Sequence, residues 1–405
     1  GAAGIRRIPV DDIPAGNQLE WSPTNKDPRD DADSEKARTK ETAAGRAIVL
    51  RPKTLDVNHP IDVLLHLHGY TSRRWDPAAG WRQAKVPVTK DGKAYQPVRD
   101  VDQDRIEQQL ATVTTSNPQT LGILPQGVGH SFFGPDFVPG AYINEVIMRL
   151  EQINELPKPT SGALQINLVL SAHSGGGHTV EKALRAEIDA PAKAAAAARA
   201  ESRAAARAKR TGTSAPPTPP TPAPGSSSAT SPATPSRVPA VINPVEVVLF
   251  EAINNPVELA TVTEWVDLHL NRVKTALAGQ TDPKERAMAI AACPILRAYR
   301  SRDASSDNVS RYNTRTEHIK AWFTRPAQGG GLPVADKDEL HKRFKVEALE
   351  GVVNTKDLSS HEQVVAGLGT PEQGPLADAL AARVDPGAAK LLKVAPPPPK
   401  APKAP

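Results

Sequence analysis

The sequence predicts an α/β fold, a mainly parallel, doubly wound sheet flanked by helices. Two observations carry this. From about Gly45 onward, short apolar runs alternate with amphipathic stretches, which is the pattern of βαβ units. Several of those runs are almost continuously apolar rather than alternating, as strands covered on both faces must be.

The strand segments are RAIVL (46–50), IDVLLHLH (61–68), LGILP (121–125), INLVLSA (166–172), VEVVLFEAI (245–253), ILRAYRS (295–301) and FKVEALEGV (344–352). Between them lie DRIEQQLATV (104–113), YINEVIMRLEQIN (142–154), HTVEKALRAEI (178–188), VTEWVDLHLNRVKTAL (262–277) and SRYNTRTEHIKAWF (310–323). Apolar residues recur there at spacings of three and four, so each stretch can lie as a helix on the sheet.

The chain has 405 residues, and its 40 prolines are about twice ordinary usage. Composition divides it into one α/β domain, 44–189 and 241–390, with additions. Residues 1–43 read as a polar, charge-mixed arm expected to be exposed or flexible. Residues 190–240 are an insertion, first Ala/Arg-rich with good helix formers, then rich in Pro, Ser and Thr; 391–405 form a Pro/Lys tail. Neither half of the insertion has the large apolar residues to build a core, and insertion or tail offers a protein partner a proline-rich strip.

Residues 191–237 hold seven Lys/Arg against one Glu, more than the whole chain's net +5, so the remainder is close to neutral. A nucleic-acid protein carries its basic residues on the folded surface, so this class is excluded. The single cysteine, Cys293, excludes intrachain disulfides and multi-cysteine metal sites, and burial is its expected role. No apolar run approaches the roughly 18 residues of a transmembrane helix. GAAGIRRIPVDD lacks the apolar core of an export signal. The chain is therefore expected to be soluble, with its compartment open between the cytoplasm and export.

The most informative segment is INLVLSAHSGGGHTVEKAL (166–184), where an apolar strand runs into Ser174 and a helical pattern follows at once. Small residues two before and two after the serine, Ala172 and Gly176, fit a tight nucleophile elbow, since larger side chains would collide across the turn. A phosphate-cradling loop is the competing reading of SGGGHT. The lysine of a P-loop is missing after Gly177, and G-x-G-x-x-G fails at Val180. His66 and His68 alternate along one strand, but no carboxylate cluster accompanies them, so no catalytic metal is expected.

This turn resembles the α/β-hydrolase superfamily of serine esterases and lipases, and the resemblance extends over about residues 45–385. IDVLLHLHGY looks like the family's third strand ending in a His-Gly loop. The resemblance implies an oxyanion hole from the backbone N–H groups of Gly175 and of Gly69 or Tyr70. The family's order of serine, acid, histidine makes Ser174 the nucleophile and places His361, in the loop after the last strand, as general base. Three carboxylates are candidates for the acid. Asp303 lies nearest the end of ILRAYRS, Asp307 follows closely, and Glu251 ends the preceding strand. His130, Phe132 and Phe133 after LGILP, with Trp75, are expected to line a substrate pocket at the carboxyl edge of the sheet. The implied activity is cofactor-independent hydrolysis of a small-molecule or acyl substrate, an ester by default. A serine peptidase or amidase and a catalytically silent interaction module are the alternatives on the same fold.

Overall fold

A computed structural model describes residues 4–19, 42–69, 73–76, 80–83, 104–113, 118–125, 133, 137–211, 239–349, 352, 360–366, 376, 377 and 380. The seven predicted strand segments become β2 (Thr42–Pro52), β3 (Ile61–Leu67), β6 (Thr120–Pro125), β7 (Gln165–His173), β8 (Val241–Phe250), β9 (Ile295–Ser301) and β10 (Phe344–Leu349). With β1 (Ile5–Leu19) they form one sheet in the order β1-β2-β6-β3-β7-β8-β9-β10. β1 and β6 flank β2 antiparallel, and all remaining neighbours are parallel. β4 (Arg73–Asp76) and β5 (Gly80–Gln83) pair as a separate antiparallel ribbon.

The helices are α1 (Ile106–Val113), α2 (Pro139–Gln152), α3 (Gly177–Thr211), α4 (Pro256–Leu277), α5 (Pro283–Ala291), α6 (Ser306–Thr324), α7 (Val334–Lys342) and α8 (Ser360–Ala366). Period-two alternation along the central strands distributes side chains to two cores. Val63, Leu65, Leu67, Leu168, Leu170 and Leu249 pack on one side with Val146 of α2, Trp265 of α4 and Trp322 of α6. Leu64, Val169, Val248 and Phe250 pack on the other with Leu110 of α1 and Val364 and Val365 of α8. Every residue of β3 is buried, which explains why all but Asp62 and His66 are apolar. This is the predicted mainly parallel, doubly wound sheet.

Local chemistry fixes the helix starts. Asn255 caps α4 by accepting from the N–H groups of Val257 and Glu258, and Pro256 occupies the first helical position. Asp282 caps α5 and Ser305 caps α6 in the same way. Cys293 is buried, and burial pushes its thiol up to about 12, which leaves it unreactive.

Two boundaries differ from expectation. The polar arm expected over 1–43 contains β1, whose Ile5, Ile8, Val10 and Ile13 are buried. Register shifts between Val10 and Ile13 and beyond interrupt its pairing with β2, so the chain's alternation is broken there and no clean period shows. The insertion expected to end at 240 ends sooner, because Ala240 is buried and its N–H donates to Asn144 Oδ1 at 2.9 Å. At its other end, α3 continues the predicted 178–188 helix through Pro191 and into the Ala/Arg tract, whose residues 191–196 are exposed. Among the described residues no helix is long and apolar enough to cross a membrane.

The sheet's carboxyl edge is packed backbone to backbone where α3 begins. A Cβ on Gly177 would lie 1.8 Å from the Ala252 carbonyl oxygen, and one on Gly176 would lie 2.4 Å from that of Leu67. Gly177 has an ordinary helical φ of −56°, so close approach and not backbone freedom requires glycine there. In an exposed helix, alanine would gain about 1 kcal/mol over glycine. Here the collision wins, and Gly177→Ala is expected to destabilise by about 3 kcal/mol, the upper range of overpacking costs. Urea denaturation checks this; a midpoint at or above wild type would contradict it.

Candidate active site

Parallel register sets the site. β7 and β8 pair with His173 opposite Phe250, so Ser174 and Glu251 emerge from equivalent ends of neighbouring strands. On the other side of β7, Leu67 pairs with Ala172, which brings Gly69 alongside Ser174. A Cβ at Gly69 would lie 2.9 Å from that of Ser174. Ser174 opens a 3-10 turn, Ser174–Gly176, that leads into α3. Its φ is +49°, the left-handed region that a non-glycine residue adopts only at a cost of order 1–3 kcal/mol. Glu251 is strained in the same sense, with φ +46°.

Neighbours hold both turns. Asn254 Nδ2 donates to the Ser174 carbonyl at 2.8 Å, while its own N–H donates to Glu258. The Glu251 N–H donates to the Tyr299 carbonyl at 2.9 Å.

His361 lies in the first turn of α8, and its Nδ1 hydrogen-bonds Glu251 Oε2. The Glu251 side chain is 2% exposed and that of His361 41%. Glu251 Oε1 accepts from the Ser301 N–H at 2.6 Å and the Ser301 hydroxyl at 2.5 Å, and Asn308 Nδ2 donates to Oε2 at 3.4 Å. Burial pushes the Glu251 carboxyl up, but the hydrogen bonds from His361 and the Ser301 hydroxyl, the His361 charge and the Ser301 N–H outweigh it. They bring the carboxyl down to about 2.

Of the three carboxylates considered for the acid, the structure brings Glu251 to His361. Asp303 sits exposed in the turn after β9, and Asp307 faces Arg311 Nη2 at 3.5 Å from the first turn of α6. The reason is topological. α8 packs over the ends of β8 and β9, and the buried position it meets is the one directly after β8.

Among the described residues no hydrogen bond joins Ser174 Oγ to His361. The His361 ring lies 5.0 Å, centroid to centroid, from that of His173, the residue before the serine. Gly175 lies inside the 3-10 turn, where its N–H follows the serine.

Tyr70, expected at the oxyanion hole, and the expected pocket residues His130 and Phe132 lie outside the described residues. Trp75 pairs with Trp81 in the β4–β5 ribbon. Phe133 is a core residue, stacked on Phe137 with ring centroids 4.3 Å apart and tilted against Tyr142 of α2. His66 and His68 are both engaged within the protein. His66 meets Ser171 Oγ and Asp104 Oδ2, each at 3.0 Å, and His68 Nδ1 donates to the Gly69 carbonyl at 2.7 Å. Among the described residues no group of three or more His, Cys, Asp or Glu could hold a metal ion. Sequence reasoning missed Asn254, Ser301 and Asn308. Their only local signals are the last position of β9 for Ser301, the loop after β8 for Asn254 and, for Asn308, a place three residues beyond the Ser305 cap.

No protein-family model matches the chain, and no curated protein matches it. Among solved structures it is similar to esterase LipW from Mycobacterium marinum at 9% identity, covering 97% of this chain and 84% of that one, with a TM-score of 0.34. It is also similar to esterase B from Lactobacillus rhamnosis, solved with a tributyrin phosphonate, at 9% identity, 96% and 87% coverage and a TM-score of 0.32. A third similar structure is carboxyl esterase 2 from the fungus Tuber melanosporum, at 10% identity, 96% and 87% coverage and a TM-score of 0.30. Likeness at this level carries no argument about the chemistry of this chain, which is read from its own geometry. The strained serine turn between β7 and α3, the preceding Gly69 loop and the histidine helix after the last strand make the fold α/β-hydrolase-like.

Glu251 has its carboxyl at about 2 when folded against an ordinary 4.5, a depressed value. Its contribution is therefore complete above about pH 4.5 and is lost as pH falls toward 2, amounting to about 3 kcal/mol. The stability difference between wild type and Glu251→Gln, from urea titrations at several pH values, is expected to shrink across that window. A difference constant from pH 6 to pH 3 would contradict a buried, ionised Glu251.

Proposed function

We propose that the protein is a serine hydrolase that cleaves a carboxylic ester or related acyl bond with Ser174, His361 and Glu251 as its triad. The observation that supports this best is the sealed Glu251 carboxylate on His361 Nδ1, next to a serine held at positive φ on the neighbouring strand end.

With Nδ1–H committed to Glu251, Nε2 is the basic nitrogen of His361. Nε2 takes the Ser174 hydroxyl proton as Oγ attacks the acyl carbon. The carbonyl electrons move onto oxygen, and the N–H groups of Gly175 and Gly69 receive that oxyanion. Collapse breaks the acyl–oxygen bond, and Nε2–H gives its proton to the departing alkoxide. Water then repeats the sequence on the acyl-serine and returns the enzyme. Glu251 stays ionised throughout, orients the ring and stabilises the imidazolium. In this reading Glu251 takes the role that the sequence assigned first to Asp303. An ester is preferred to an amide because its carbonyl is less resonance-stabilised and an alkoxide leaves more readily than a nitrogen anion, and no step requires a cofactor.

Hydrolysis of a short-chain p-nitrophenyl ester tests the reading. Ser174→Ala and His361→Ala are expected to lower kcat by about 10⁴-fold or more, and Glu251→Gln by about 10²–10⁴-fold. Asp303→Asn is expected to stay within about threefold of wild type, as an exposed side chain off the triad should. Loss at Asp303→Asn with Glu251→Gln unaffected would return the acid to Asp303. Turnover of amides but not esters would favour the peptidase reading, and a folded wild type inert toward both would leave a silent module.

A further inference from the structure

Behind the proposed triad lies a second, fully internal set of titratable groups that the hydrolytic mechanism does not use. His173 ends β7 with its side chain 6% exposed, and Asp104, just before α1, is 5% exposed. His173 Nε2 donates to the main-chain carbonyl of His361 at 2.7 Å. On its other side His173 Nδ1 is 3.7 Å from Asp104 Oδ1, and Asp104 Oδ2 meets His66 Nε2 at 3.0 Å. His66 Nδ1 reaches Ser171 Oγ, two residues back along β7. Gln109 Nε2 closes the set by donating to the carbonyls of Asp104, at 3.1 Å, and of Val365 in α8, at 2.8 Å.

The helix that carries His361 is thus tied to the nucleophile's own strand by a buried donor. We propose that His173 is a positioning residue: its Nε2–H holds the His361 carbonyl and thereby sets where the His361 ring stands over Ser174. The inference rests on the triad reading.

Donation to a carbonyl fixes the proton on His173 Nε2. Burial pushes its imidazole down to about 4, so the ring is neutral at neutral pH and offers that single donor. One chain of contacts then connects the turn that strains Ser174 with the helix that supplies the base. A misplacement near 1 Å at such a position costs on the order of 10²-fold in rate.

The test compares His173→Phe, which keeps ring volume without a donor, with His173→Gln, whose amide nitrogen reaches close to the Nε2 position. Ester hydrolysis is measured per active site, and melting temperature alongside it. His173→Phe is expected to lower kcat by about 10–100-fold with KM within about threefold, and His173→Gln to recover at least half of that loss on a logarithmic scale. Wild-type kcat in His173→Phe, an equal loss in His173→Gln, or a loss carried by KM would overturn the proposal. If His173→Phe does not fold, His173→Met takes its place in the same comparison. Ser174→Ala is run beside them. Activity in that variant would sink the triad reading itself, whereas an inactive Ser174→Ala with a fully active His173→Phe would sink only the positioning role.

Discussion

Glu251 is charged in a place that water scarcely reaches, and a buried carboxylate persists only when its oxygens are paired. Its partners come from three different parts of the chain: Ser301 at the end of β9, Asn308 in α6 and His361 in α8. Satisfying one charge therefore gathers the ends of two strands and two helices at a single point. Removing any of those donors leaves part of a charge unpaired in a low-dielectric setting. The same pairing that stabilises the carboxylate fixes the tautomer of His361, so stability and the proposed chemistry share one contact.

The second constraint is the width of the sheet's carboxyl edge. Gly69, Gly176 and Gly177 let the β3 end, the serine turn and Ala252 beyond β8 approach at distances that no side chain would permit. That crowding leaves Ser174 and Glu251 in left-handed backbone conformations on neighbouring strands. Both residues are held there from outside, Ser174 by Asn254 and Glu251 by Tyr299. Strain at two adjacent positions, each over-determined by its surroundings, is what a preorganised site requires.

Much of this was legible in the sequence, for physical reasons that differ by element. The buried strands announce themselves because strands covered on both faces must be largely apolar, as β3 is apart from Asp62 and His66. Ser174 and His361 could be singled out as candidates because strand order fixes which loops share one edge. β1 escaped because an edge strand with bulges carries no regular period, and its apolar residues are separated by Arg6, Arg7, Asp11 and Asp12. The choice among Glu251, Asp303 and Asp307 could not be made locally, since it depends on which strand end α8 covers. The link from Asp104 to His173 joins residues 69 positions apart and leaves no local pattern. Phe133, expected to face a pocket, illustrates the opposite error, because a loop aromatic and a core aromatic look alike until the chain's path is known.

The claim that Ser174 is a nucleophile activated by His361 is tested most directly by treating the folded protein with a fluorophosphonate and locating the adduct by peptide mass spectrometry. The geometry predicts one adduct per chain at neutral pH, on the peptide containing Ser174, and none in His361→Ala over the same interval. An unlabelled wild type, or an adduct on any other residue, would contradict it.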